Sequence, residues 1–231
     1  MTPAWLSPAG GIRYHLRALR YRPQLWAGFT RPLAEWLSEW QPREERLLLV
    51  GPSAGYCLPE ETLARFAVID AVEPDPLARA LFMQRFPSLA QRLRWHADDY
   101  FHPAARLVEL RLLFPAHAVL FSNVLGQLDL ASNDERWKET LEEFTCGRSW
   151  LSFHDRLSGP LRPQLVGMSP PFAPTVSNDE LAARLWPRPP SRLELEDHGT
   201  EGLFRHAERR YFVWHLRPDY FHLIEGVRDD G

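Results

Sequence analysis

The 231-residue chain has little cysteine, almost no lysine and no long apolar run, and each shortage closes off a class of chemistry. Cys57 and Cys146 are the two cysteines. They show neither metal-ligand spacing nor a disulfide framework, so both read as reduced thiols. Lys138 is the sole lysine. A G-x-x-x-x-G-K-[ST] phosphate loop is therefore absent, and Schiff-base chemistry would have to use a residue on a polar helical stretch. No segment approaches the roughly 20 apolar residues of a membrane span. The first twenty residues lack the basic start, apolar run and small-residue site of a secretory leader. A cytoplasmic location with no membrane partner is expected. A formal charge of −3 gives no strong sign of nucleic acid as a partner.

What is present has the rhythm of a doubly wound sheet. In residues 11–40, Leu16, Leu19, Leu25, Trp26, Leu33, Trp36, Leu37 and Trp40 recur at roughly helical spacing, with Pro23 and Pro32 expected to break the run into two or three pieces. This predicts a helical extension over 1–45. Five arginines between 13 and 31 make it locally basic, which fits a solvated helix face or a surface for a polyanion. The pattern then changes. RLLLV, ending at Gly51, suits a buried parallel strand, and PEETLARF follows as a helix whose Glu60 and Glu61 favour its N-terminus. AVIDAVEPD reads as a second strand, with Asp75 and Pro76 starting the next helix. RLRWHADD and HAVLFSNVL read as the third and fourth strands. Helices are expected at 104–113 and 133–145, and SWLSFHD reads as a fifth strand. Strands alternating with helices mean βαβ units and a parallel sheet.

After Asp155 the alternation fails. Residues 159–192 hold eight prolines and read as a Pro-rich insertion with one short helix near 178–186. Ser177 and Glu180 have the spacing of a capping box for it. LELEDH at 193–198 and RRYFVWHL at 209–216 read as two late strands, and the tail FHLIEGV as a possible further one.

The first βα turn carries the chemistry. In LLLVGPSAG, Gly51 and Gly55 permit close backbone approach to a ligand, and the following helix offers free N–H groups. Glu73, 22 residues after Gly51, ends the second strand, where an acid can accept hydrogen bonds from ribose hydroxyls. That arrangement serves any adenosine cofactor. A dinucleotide loop wants G-x-G-x-x-G for the pyrophosphate, whereas Ser53 and Tyr56 occupy the second and third glycine positions here. A nicotinamide-dependent oxidoreductase is thereby disfavoured. The same residues also have plainer readings: tight-turn glycines, a surface acid, helix caps.

The ordered series LLLVGPSAGYCL, VIDAVEPDPLAR, LRWHADDYF, AVLFSNVLGQL and SWLSFHD resembles the motifs of the class I methyltransferases over residues 46–156. The resemblance implies an α/β domain at 46–231 with a seven-stranded, mostly parallel doubly wound sheet, the Rossmann-like methyltransferase fold, and S-adenosyl-L-methionine as cofactor. Gly51, Ser53 and Gly55 resemble the cofactor loop, and Glu73 the ribose acid. Asp98, with Asp99, resembles the residue that meets the adenine amino group. Asn123 falls at the fourth-strand motif beside the transferring methyl. The two late strands match the family's closing hairpin. Leu49 and Ser53 depart from the pattern, where members carry an acid and a glycine.

His154 and Asp155 end the fifth strand at the same sheet edge, where a general base could take a proton from an attacking hydroxyl or amine. A metal reading would recruit His198, His206, His215 or His222, but no ligand spacing supports it, and no metal is expected. The function implied is methyl transfer to an unidentified acceptor, a small molecule or a macromolecule. The alternative is a methyltransferase-like protein that binds the cofactor or a partner without catalysis, since no acceptor motif such as N-P-P-Y is present.

Overall fold

The structure is a computed structural model that describes residues 11–98, 106–127, 136–164, 176–186, 194–204 and 207–231. Asp99, His206 and half of the Pro-rich stretch lie outside the described residues.

The parallel half of the sheet is made by β1 (Arg46–Val50), β2 (Val68–Val72), β3 (Leu93–His96), β4 (Ala118–Ser122) and β5 (Trp150–Gly159). Between them run α3 (Glu60–Ala64), α4 (Ala78–Arg85), α5 (Arg106–Leu113) and α6 (Arg136–Thr145). Later come α7 (Asn178–Leu185), the two-residue β6 (Glu196–Asp197), and the long strands β7 (Glu208–Arg217) and β8 (Tyr220–Asp229). The order is β3-β2-β1-β4-β5-β8-β7, with β6 pairing β5 off this path. All pairings among the first five strands are parallel, whereas β8 is antiparallel to both β5 and β7. Counted without the short β6, this is the seven-stranded, mostly parallel sheet anticipated above. The antiparallel β8 next to β5 separates it from the all-parallel 3-2-1-4-5-6 dinucleotide order.

The closing hairpin is not where the sequence pattern placed it. Among the described residues of LELEDH, Glu196 and Asp197 form a strand, both exposed at the margin of β5. The partner of β7 is the tail, Tyr220–Asp229. In LELEDH the half-buried Leu195 packs beside α7 although only two residues pair with β5, while β8 lies between β5 and β7 and is buried on both faces, so it shows no alternation to read.

The two faces of the sheet carry separate cores. One holds Leu47, Leu49, Phe153, Ile224 and Trp214 beneath the N-terminal helices and α3–α4. The other holds Leu48, Val50, Phe121 and Val227 beneath α5 and α6. Two further strand residues, Leu157 and Leu223, pack with Leu181, Leu185 and Trp186 around α7. Ser177 caps α7 as expected, its Oγ accepting from the Glu180 N–H at 3.2 Å.

Residues 11–39 form α1 (Gly11–Tyr21), a π-helical turn (Arg22–Trp26) and α2 (Ala27–Glu39). Pro23 sits in the π turn. Pro32 does not break the run as expected: it lies inside α2. Packing outweighs its missing N–H, because Trp26, Phe29, Leu33, Trp36, Leu37 and Trp40 are all essentially inaccessible. At roughly 1.5–3 kcal/mol for each fully buried large apolar side chain, this extension is integral to the fold. Trp26 meets Trp214 of β7 edge-to-face at 4.8 Å and donates its indole N–H to the Leu216 carbonyl at 3.0 Å. The N-terminal helices are thereby fastened over the closing hairpin, on the face that carries the site.

Candidate functional site

The turn after β1 is built from left-handed backbone. Gly51, Ser53 and Gly55 have φ of 64°, 48° and 66°. A Cβ on Gly51 would lie 2.6 Å from Cβ of Val124, and one on Gly55 would lie 2.5 Å from the Phe86 ring, so both positions exclude a side chain. Glu73 lies against this turn at the end of β2. One carboxylate oxygen accepts from the Ser53 N–H at 2.8 Å, the other from the Asp75 N–H at 2.9 Å. Burial raises the carboxyl's pKa, opposed by those two bonds. The Ser53 hydroxyl is buried without a partner. The loop and the acid named from the sequence are therefore one unit, each fixing the other. Asp98 is exposed just after β3.

Asn123 follows β4 with φ of 55°. Its N–H donates to the Phe153 carbonyl at 2.8 Å, and its Nδ2 lies 3.3 Å from Asp155 Oδ2. Its side-chain oxygen is buried and unpartnered. Asn123 and Asp155 line one cavity of about 370 Å³, together with Tyr14 and Arg17 of α1, Trp214, Arg217, His198 and His222.

A bulge explains the convergence on β5. Asp155 pairs with Ile224 and Leu157 with Leu223, leaving Arg156 as an extra residue. The insertion brings Asp155 and Ser158 onto one face with His222. His222 Nδ1 is 2.7 Å from Asp155 Oδ1. Burial alone would raise the Asp155 carboxyl, but His222, His198 and the Asn123 amide outweigh it and hold the group below the usual carboxylate range. His198 is held by the Gly126 carbonyl at Nδ1, 3.2 Å, and by Ser158 Oγ at Nε2, 2.9 Å.

His154 does not line this cavity. Strand alternation turns it to the opposite face, where it is completely buried between Ser152 Oγ at 2.9 Å and Glu225 Oε2 at 3.3 Å. Glu225 also receives Arg156, Arg209 and the Tyr211 hydroxyl, a closed polar network inside the core. Cys57 is likewise no nucleophile, since burial pushes its thiol up to about 12. His198 and His222 were visible in the sequence only as hypothetical metal ligands. No local pattern marks Tyr14 or Trp214 as cavity walls.

No family model matches the chain, and no curated protein matches it. Among solved structures it is similar to the N-methyltransferase NodS from Bradyrhizobium japonicum WM9 in complex with S-adenosyl-L-homocysteine, at 11% identity and a TM-score of 0.49 over 95% of this chain and 97% of that one. It is similar to a SAM-dependent methyltransferase from Aquifex aeolicus at 12% identity and a TM-score of 0.45, covering 94% and 95%. A third likeness is to magnesium protoporphyrin IX methyltransferase from Synechocystis PCC 6803, at 11% identity and a TM-score of 0.42, covering 87% and 78%. By its own strand order the chain has the Rossmann-like fold of the class I methyltransferases. No helix among the described residues is long and apolar enough to cross a membrane.

Proposed function

We propose that the chain binds S-adenosyl-L-methionine across the carboxyl ends of β1 and β2 and directs its methyl group to an acceptor in the cavity lined by Asn123 and Asp155. The observation that carries this reading is the joining of Glu73 to the Ser53 N–H at 2.8 Å. It holds a glycine-bounded turn and a buried carboxylate as one cradle at the sheet edge. Each carboxylate oxygen has a second lone pair for a ribose hydroxyl. The buried, unpartnered Ser53 hydroxyl and Asn123 side-chain oxygen supply polar atoms for the cofactor's amino-acid end. Nothing in the turn requires a pyrophosphate.

The cofactor supplies an electrophilic methyl group. The chain's own residues position the acceptor, exclude water and hold the proton. Positioning is the larger part of such catalysis. Trp214 and Leu216 give the cavity apolar walls, α1 closes over it through Tyr14, and Asp155 with His222 forms its polar end. A cavity of about 370 Å³ suits a small-molecule acceptor rather than a macromolecular chain.

Titration calorimetry with S-adenosylmethionine, S-adenosylhomocysteine and NAD tests the reading. Binding of either sulfur ligand and none of NAD is expected. Binding of NAD alone overturns it. Tight binding of the sulfur ligands by a chain that turns over no small-molecule acceptor would favour the non-catalytic, partner-binding alternative.

A further inference from the structure

We propose that Asp155, His198 and His222 form a binding site for one divalent transition-metal ion at the polar end of the cavity. The inference does not depend on methyl transfer. It rests on three side chains from different parts of the chain, β5, the segment after β6, and β8, whose ligand atoms, one from each, lie within 4.8 Å of one another. Two of the three are buried and the third is half-buried, and all three line the same cavity.

The hydrogen bonds show what an ion must displace. Carboxylates only accept, so the 2.7 Å contact between Asp155 Oδ1 and His222 Nδ1 places the proton of a neutral His222 on Nδ1. An ion held by Oδ1 and Nδ1 together takes the place of that proton, which shifts to Nε2, a buried atom with no partner. His198 Nδ1 faces the Gly126 carbonyl at 3.2 Å. This is the outer bond that fixes the tautomer of a metal-bound histidine and leaves Nε2 to ligate. Ser158 Oγ now meets that Nε2 at 2.9 Å. An ion would displace it at little cost, since Ser158 keeps the Tyr220 hydroxyl at 3.0 Å. Asn123, whose side-chain oxygen is also unpartnered, stands on the far side of Asp155.

The donor set decides the kind of ion. Two imidazoles and one carboxylate suit Zn²⁺, Fe²⁺ or Co²⁺, whereas Ca²⁺ and Mg²⁺ need a cage of oxygens. Arg17 and Arg217 reach the same cavity and disfavour a loosely held cation, so nitrogen ligation must supply the affinity. Three protein ligands opening on a cavity leave a coordination position for water or an acceptor oxygen, as in catalytic zinc sites.

The test is titration calorimetry of the 231-residue chain, stripped with a chelator, against zinc chloride and calcium chloride with no sulfur ligand present. One equivalent of zinc should bind, and calcium should not. His198→Ala and His222→Ala should each weaken zinc at least about tenfold, while Ser158→Ala should retain it. In the unmutated chain, zinc should protect His222 from diethyl pyrocarbonate, read by peptide mass spectrometry. This keeps the test valid if a histidine variant fails to fold. Absence of saturable zinc binding, affinity unchanged in both histidine variants, or an unprotected His222 overturns the proposal. Because no cofactor enters these measurements, the metal site can fail while the methyl-transfer reading stands, and the reverse.

Discussion

His15 of α1 reaches Asp75, 60 positions further along the chain, with Nε2 2.9 Å from Oδ2. The same carboxylate oxygen accepts from the Gly11 N–H at 3.1 Å, and the other accepts from the Leu77 N–H at 2.9 Å. Burial tends to raise the Asp75 carboxyl, but the His15 bond and the two backbone bonds outweigh it and hold its pKa below the ordinary value. His15 Nδ1 also meets the Tyr56 hydroxyl at 3.1 Å. One imidazole therefore ties the N-terminal helix to both the turn after β1 and the turn after β2. His15→Ala should cost roughly 1.5–3 kcal/mol, the range for hydrogen bonds to a charged group. Urea unfolding would measure it. Hydrogen exchange of α1 should accelerate more than that of the sheet, and equal acceleration of both would show that the bond does not anchor the helix.

Glu73→Gln keeps the size of the side chain but turns one acceptor oxygen into a donor. That donor would face either the Ser53 N–H or the Asp75 N–H. The cradle should open, and S-adenosylmethionine affinity should fall about ten- to a hundredfold, which is the loss of one or two charge-assisted bonds. Calorimetry checks this, and unchanged affinity would remove Glu73 from the ribose position.

Gly55→Ala tests the turn by itself. The residue has φ of 66°, and its Cβ would lie 2.5 Å from Phe86 and 3.0 Å from Phe82. Left-handed backbone costs a non-glycine residue roughly 1–2 kcal/mol, and overpacking typically costs 1–3 kcal/mol more. A stability loss of about 2 kcal/mol or more is expected by denaturant melt. A variant as stable as the parent would mean that the turn relaxes out of the left-handed region and that the two phenylalanine rings move aside.

How far these features were legible follows from their range along the chain. Gly51, Gly55 and Glu73 announce themselves because strand, turn and acid are consecutive elements, and parallel pairing of β1 with β2 then fixes their distance. The Ser177 cap is likewise local. His222 was legible only as one of four hypothetical metal ligands. It reaches Asp155 only because β8 inserts beside β5 and a bulge at Arg156 realigns the faces, and neither the strand order nor the bulge leaves a mark in residue spacing. His154 misled for the same reason in reverse: adjacent to Asp155 in sequence, it is turned to the opposite face by the period of two. LELEDH misled because alternation measures amphipathicity, and Leu195 is covered by the α7 core although just two residues of the segment pair with β5.

The opposite face yields a prediction about acid. Glu225 is fully buried and faces His154 and Arg156 of β5, Arg209 and Tyr211 of β7, and, through Arg156, Asn178 of α7. Burial would raise its pKa, but the His154 bond and the charges of Arg156, His154 and Arg209 outweigh it and lower the carboxyl from 4.5 to about 2. A carboxyl whose folded pKa lies below its unfolded one binds fewer protons when folded. It therefore stabilises the fold above the unfolded pKa, and this contribution is lost as pH falls through the folded one. For Glu225 the window runs from 4.5 down to about 2, and the amount lost is on the order of 3 kcal/mol. In Glu225→Gln that component of the acid dependence should vanish. The variant should also be less stable at neutral pH, by about 3–5 kcal/mol, because Arg156 and Arg209 lose the charge that balances them in the core. Urea midpoints at a series of pH values from neutral down to about 3 for both chains would check it, since that range crosses most of the window set by the two pKa values. Parallel pH profiles for the parent and Glu225→Gln would show that Glu225 is not the group whose protonation weakens the fold in acid.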